Sequence, residues 1–242
     1  MSDPAAGPVF AAAADPRVEI LQVGTERHPV LLIDGLLTGG EALVDFAAEQ
    51  AVLAPVKAAA NFYPGVRAPT PGGYVQALVT ALRPHLARVF GAPPGGKAHV
   101  TSALSMAVLP ADQATPPQRL PHIDATDPNQ LAILHYLCGP PHGGTAFYRH
   151  RATGLEAIGP DQGKAYFAAL RQEIETASIP ASYVAGSTPL FEQTAVVEPA
   201  FNRVIVYASR LLHAGVLPDH PASHDPRTGR LTVNSFFRFE AS

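Results

Sequence analysis

Cysteine is nearly absent from this chain: Cys138 is the only one in 242 residues, which excludes an intramolecular disulfide and suits a reducing compartment. Set inside the run LAILHYLC, it reads as a small buried hydrophobe. Runs of Lys or Arg are also missing, and the formal net charge is -3, which removes the simplest electrostatic case for nucleic acid or an anionic membrane as partner. No apolar run approaches the length of a bilayer span, and the opening MSDPAAGPVFAAAADP lacks the charged and apolar regions of a secretory leader. The expectation is a cytoplasmic protein. No repeat of solenoid or propeller length recurs either.

What is present is apolar content of 47%, enough for a substantial core, punctuated by 25 prolines and 20 glycines that read as turns. The expected organisation is one compact domain in three stretches: a disordered tail over 1–16, a β-β-α and helical support region over 17–98, and a β-rich core over 99–242. In the support region VEILQV and PVLLID read as strands, and GEALVDFAAEQAVL as a helix with Leu43, Phe46 and Ala47 on one face. The stretch YVQALVTALRPHLARVF carries Tyr74, Leu78, Leu82, Leu86 and Val89 at helical spacing, and Pro84 is expected to kink or divide it. A later helix, AYFAALRQEIETA, places Phe167, Leu170 and Ile174 along one stripe.

Beyond His99 the pattern becomes eight short β-prone runs: VTSALSMAVL, RLPHID, LAILHYL, GTAFYR, FEQTAVVE, NRVIVYA, LLHAGVL and RLTVNSFFRF. Runs of this kind suit a mostly β (α+β) fold, a double-sheet jelly roll or related barrel with the early helices packed outside.

The chemistry concentrates in PHIDATD. On an extended strand, His122 and Asp124 at i and i+2 point to one face, and His213 in SRLLHAGV follows far enough along for the chain to return beside them. Two imidazoles and a carboxylate bind non-haem iron(II) on one side and leave positions open for a chelating cosubstrate and oxygen. Arg230 in GRLTVNSFF can grip a distal carboxylate in two parallel hydrogen bonds, and Thr232 points to the same side with a hydroxyl. The same ligands also suit a zinc-dependent hydrolase, or a cupin-like metal-binding protein or sensor without turnover. A hydrolase has no need of a carboxylate anchor beside its metal.

The order His-x-Asp, a later His in NRVIVYASRLLHAGV, then Arg-x-Thr in a terminal strand resembles the iron(II)/2-oxoglutarate-dependent oxygenase superfamily. PVLLIDGLLTGGEALVDFA is similar to the helical lead-in of prolyl-hydroxylase-like members and uncharacterised bacterial relatives. The resemblance implies a double-stranded β-helix with the His-x-Asp pair on its second strand, the distal His on the seventh and the basic anchor on the eighth. It implies Fe(II) held by His122, Asp124 and His213, with 2-oxoglutarate as cosubstrate and O2 as oxidant. It further implies Arg230, Thr232 and Tyr136 around the cosubstrate. The implied reaction is hydroxylation of an unactivated carbon in a small molecule or peptide, with release of succinate and CO2. The stretch PDHPASHDPRT before Arg230 is longer and more polar than the turn many members use.

Other residues compete with this set. His135, next to Tyr136, should face the opposite side of its strand, while His142 and His150 flank a GGT turn and read as solvated or rim residues. His220 and His224 fall in a polar loop. Asp127 is a runner-up ligand or a partner for a ligand histidine. Arg149 and Arg151 are candidates for the pocket mouth, and Arg203 and Arg238 for an alternative anchor. Specificity is expected in the loops NFYPGVRAPTPGG, ADQATPPQRL and PDHPASHDPRT.

Overall fold

The runs RVEILQV and HPVLLID form an antiparallel hairpin, β1 (Arg17–Val23) and β2 (His28–Asp34), and the following amphipathic stretch forms α1 (Gly40–Glu49). A computed structural model describes residues 8–55, 63–176, 179–220 and 223–240 of the chain. A short β3 (Ala54–Pro55) pairs with β4 (Gly65–Pro69), so the stretch expected to be a Pro/Gly-rich loop contributes a strand. Next comes α2 (Tyr74–Phe90), which buries Tyr74, Leu78, Leu82 and Leu86 on one face. It is not divided at Pro84. Pro84 and Thr80, whose carbonyl loses its helical partner, both lie on the exposed face, where water can satisfy the freed group.

The β-rich half supplies β5 (Ala98–Ala107), a short α3 (Pro116–Arg119), β6 (Gln130–Tyr136), β7 (Thr145–His150) and α4 (Pro160–Thr176). It ends with β8 (Phe191–Val197), β9 (Arg203–Ala208), β10 (His213–Gly215) and β11 (Leu231–Phe239). The fold is mostly β, with a large antiparallel sheet in the order β1-β2-β9-β6-β11-β5-β4-β3 and a small one in the order β10-β7-β8.

Strict alternation along the central strands divides the core into layers. Leu31, Ile33, Leu131, Ile133, Val204 and Val206 meet α1 and α2 on one face of the large sheet. Their neighbours Val30, Leu32, Ala132, Leu134, Ile205 and Tyr207 fill the space between the two sheets together with Phe147. Burial on both faces explains why PVLLID, LAILHYL and RVIVYA are nearly continuous apolar runs. On the far side of the small sheet, Ala146, Tyr148, Phe191 and Leu212 pack with Tyr166 of α4.

Three further expectations change. RLPHID is not a full strand: Pro121 has no amide to donate, a capping box of Thr115 and Gln118 starts α3, and only His122 forms a β-bridge, to His213. In α4 the buried positions are Gly163 and Tyr166, with Leu170 and Ile174 partly covered, whereas Phe167 is 47% exposed. Finally, residues 8–16 of the stretch expected to be a loose tail are tied down. The Ala13 amide donates to Leu36, Ala12 bridges Leu37, and Phe10 packs edge-on against Tyr74 at 5.6 Å. Residues 1–7 lie outside the described part.

Candidate metal centre

His122 and His213 sit directly opposite one another, each amide donating to the other's carbonyl at 2.9 Å. Residues paired this way project their side chains to the same face, and the two imidazole centroids lie 4.6 Å apart. The Asp124 amide donates to the Ser209 carbonyl at 2.8 Å, which keeps the segment against the loop leading into β10. One donor atom from each of His122, Asp124 and His213 falls within 4.8 Å of the others. His213 Nε2 is 3.5 Å from an Asp124 carboxylate oxygen.

Both imidazoles are held in one tautomer. His122 Nδ1 lies 3.3 Å from the Leu120 carbonyl and His213 Nδ1 lies 2.9 Å from the Leu211 carbonyl. A carbonyl only accepts, so each Nδ1 donates its proton there and Nε2 is the nitrogen left free to meet a metal. Although His122 is open to the cavity, desolvation of its ring by the packed walls, with a smaller push from His213, lowers its pKa to about 4 against the pull of Asp124. Two donors about 2.1 Å from one ion and at right angles to each other stand about 3 Å apart, close to the observed His213–Asp124 separation. The donor set fits a divalent metal.

The three face a cavity of about 410 Å³ between the sheets. Its wall includes Arg230, which is 7% exposed. Arg230 Nε and Nη2 donate to the Gly143 and Gly144 carbonyls at 3.3 Å, and its guanidinium sits 5.9 Å from the centre of the Tyr136 ring. The two glycines allow this contact: Gly143 has φ 72°, and a Cβ on either would collide with the carbonyl of Val216 or Val197.

The other two cosubstrate candidates lie one layer back. Tyr136 bonds Thr145 at 2.6 Å, and it is Thr145 that forms the wall; burial raises the phenol pKa to about 12. Thr232 is fully buried, with its hydroxyl 2.9 Å from Asn234 Oδ1 and 3.3 Å from the Ser105 carbonyl. Its one proton is spent inside the sheet.

The remaining candidates are placed elsewhere. His135 faces away from the cavity, as expected, between Tyr74 at 3.0 Å and Asn202 at 2.9 Å. His150 is not a rim residue: it is fully buried behind the small sheet, 2.7 Å from Glu173 of α4 and 2.9 Å from Thr153. Asp127 caps Asn129 and accepts from Arg238 at 2.6 Å, so neither serves the centre. Arg203 pairs with Asp34, and Arg149 with Glu192. His220 and His224 are exposed, and His142 is half-buried near Arg230.

The sequence reading missed two cavity residues, Arg67 on β4 and Arg119 at the end of α3. Both fall inside loops expected to set specificity. Arg67 lies over the Tyr63 ring at 4.6 Å, and Arg119 is 9% exposed. The third such loop folds over the rim: the Ala111 amide donates to the Asp219 carbonyl at 2.8 Å and the Tyr183 amide to the Asp219 carboxylate at 2.9 Å.

Comparison with solved structures finds distant likenesses. A novel N-substituted L-amino acid dioxygenase from Burkholderia ambifaria AMMD is 12% identical, over 93% of this chain and 98% of that one, with a TM-score of 0.43. AviO1 from Streptomyces viridochromogenes Tue57 is 16% identical over 84% and 82%, with a TM-score of 0.42. An oxidoreductase of the 2OG-Fe(II) oxygenase family from Burkholderia pseudomallei is 10% identical over 93% and 74%, with a TM-score of 0.34. No curated protein matches the sequence. One family model covers nearly the whole chain, residues 14–237, and so takes in the hairpin, both sheets, His122, Asp124, His213 and Arg230. The chain therefore belongs to the family of unknown function DUF6445.

Proposed function

We propose that this protein is an iron(II)- and 2-oxoglutarate-dependent oxygenase that hydroxylates an unactivated carbon of a small molecule or peptide. The observation that carries the reading is the pairing of two elements in one cavity. Two histidines locked as Nδ1–H tautomers and one carboxylate converge there, and a buried guanidinium shares the wall. Among the described residues no carboxylate pairs with Arg230, so a buried positive charge is left to be met by a ligand. A hydrolase would not need it.

The double-stranded β-helix belongs to this proposal and is supported by strand order. From β5 onward the chain visits the large sheet, then the small one through the His122 bridge, then the large sheet at β6. It returns to the small sheet at β7 and β8, the large at β9, the small at β10 and the large at β11.

Bound iron(II) and 2-oxoglutarate would let dioxygen act as the oxidant, one oxygen atom ending in the hydroxylated product and the other in succinate as CO2 is released. The chain's own part is binding and orientation. His122, Asp124 and His213 would hold the ion at the cavity wall. Arg230 holds the far carboxylate of the cosubstrate, while Gly143, Gly144 and the Tyr136 ring fix its guanidinium. Thr145 offers a hydroxyl from the wall, and Leu134 and Phe236 keep part of the cavity apolar. The reading is tested by adding iron(II) and 2-oxoglutarate anaerobically. A visible charge-transfer band that needs both components supports it, and its absence from fully loaded protein rejects it.

A further inference from the structure

The cavity carries more positive charge than metal and cosubstrate consume. Among the described residues Arg67, Arg119 and Arg230 line it against the single carboxylate of Asp124, an excess of two positive charges (three minus one) on these four side chains. A divalent metal and a dianionic cosubstrate cancel, so the excess survives their binding. Arg230 is anchored on two carbonyls, but Arg67 and Arg119 make no side-chain hydrogen bond or ion pair among the described residues, and the Nε of each is buried without a partner. Leaving a charged donor unmet in this way is costly.

Both guanidiniums come from the cavity's rim segments and not from the central strands. Arg67 lies on β4, paired with Ser105 of β5, and is steered by the Tyr63 ring. Arg119 closes α3 three residues before His122, where its carbonyl accepts from Val184 at 3.2 Å. Burial lowers the Arg67 pKa, opposed by the Tyr63 and Asp124 side chains, and Arg67 and Asp124 line the same cavity. Between them Ile123, Leu134, Leu217 and Phe236 supply apolar wall.

We propose that Arg67 and Arg119 form the substrate-recognition site of this cavity, and that the substrate carries a compact oxyanion, carboxylate or phosphate, on an apolar body. The inference rests on the oxygenase reading only for what then happens to that molecule. The guanidinium fork suits either anion, and loss of one arm is expected to weaken binding at least about tenfold.

The test uses the full chain loaded with zinc and 2-oxoglutarate, probed by ligand-observed NMR with phenylacetate, phenyl phosphate and the neutral phenylacetamide. At least one anion should bind, at least about tenfold tighter than the amide, and whichever binds tighter identifies the oxyanion. Arg67→Gln and Arg119→Gln should each erase most of that preference, and Arg67→Lys should restore part of it. Equal binding of the amide, no binding of either anion, or unchanged preference in both Gln variants overturns the proposal. The comparison among probes on the parent chain needs no variant to fold. If the parent failed to take up 2-oxoglutarate with metal, the oxygenase reading would fall, whereas the anion preference would still be read on the metal-free chain.

Discussion

His122 and His213 exchange both backbone hydrogen bonds at 2.9 Å although 91 positions (213 minus 122) separate them in the chain. That single bridge puts the two histidines on one face of the small sheet, because an antiparallel hydrogen-bonded pair must project its side chains together.

Replacing either histidine by Ala should lower affinity for iron(II), or for cobalt(II) as a redox-stable stand-in, by at least about a hundredfold. Calorimetric titration measures it, with circular dichroism as the folding control. Parent-like affinity in His122→Ala would move the metal elsewhere.

Arg230→Ala should leave metal binding intact and weaken 2-oxoglutarate by about 3 kcal/mol, or roughly two decades, because the cosubstrate carboxylate would then be buried without its partner. Lys in its place should recover little, since one ammonium cannot reproduce the fork. Titration of 2-oxoglutarate into the anaerobic iron protein decides between this and an anchor at Arg67 or Arg119.

Acid sensitivity should trace in part to His135. Burial drives its pKa from 6.5 down to about 4, opposed by its bond to Asn202. Between those values the unfolded chain binds a proton that the folded chain does not, so stability is complete above pH 6.5 and is lost as the pH falls toward 4. The loss is on the order of 3 kcal/mol. His122 adds the same sign in the metal-free chain. Urea unfolding of parent and His135→Gln across this range should show a flatter acid limb in the variant.

Behind the small sheet, Glu173→Ala should destabilise the fold by about 1–3 kcal/mol, because His150 is fully buried and would lose its 2.7 Å partner. Metal affinity should not change. A shift in metal binding equal to that of a ligand variant would show that α4 and the centre are coupled.

The pairing of local patterns with local structure was legible from the chain. Alternating PVLLID, LAILHYL and RVIVYA became strands buried on both faces, α1 and α2 formed where the helical spacing put them, and His122 and Asp124 were recognisable as an i, i+2 pair. Where the reading failed, nonlocal packing had the stronger effect. Tyr166, not Phe167, faces the core because it packs edge-on against His150 at 5.2 Å, in one cluster with Tyr148 and Phe191.

The sequence by itself determined which groups were available to the site: two histidines, one aspartate and an arginine opening the last strand, together with the apolar alternation that makes a two-sheet core. Only the tertiary structure decided which of ten histidines face the cavity, that Tyr136 and Thr232 stand behind its wall, and that Arg67 and Arg119 belong to it. The physical reason is that periodicity records the side of an element on which a residue lies. What lies across from that side depends on strand pairing and loop docking between residues far apart in the chain.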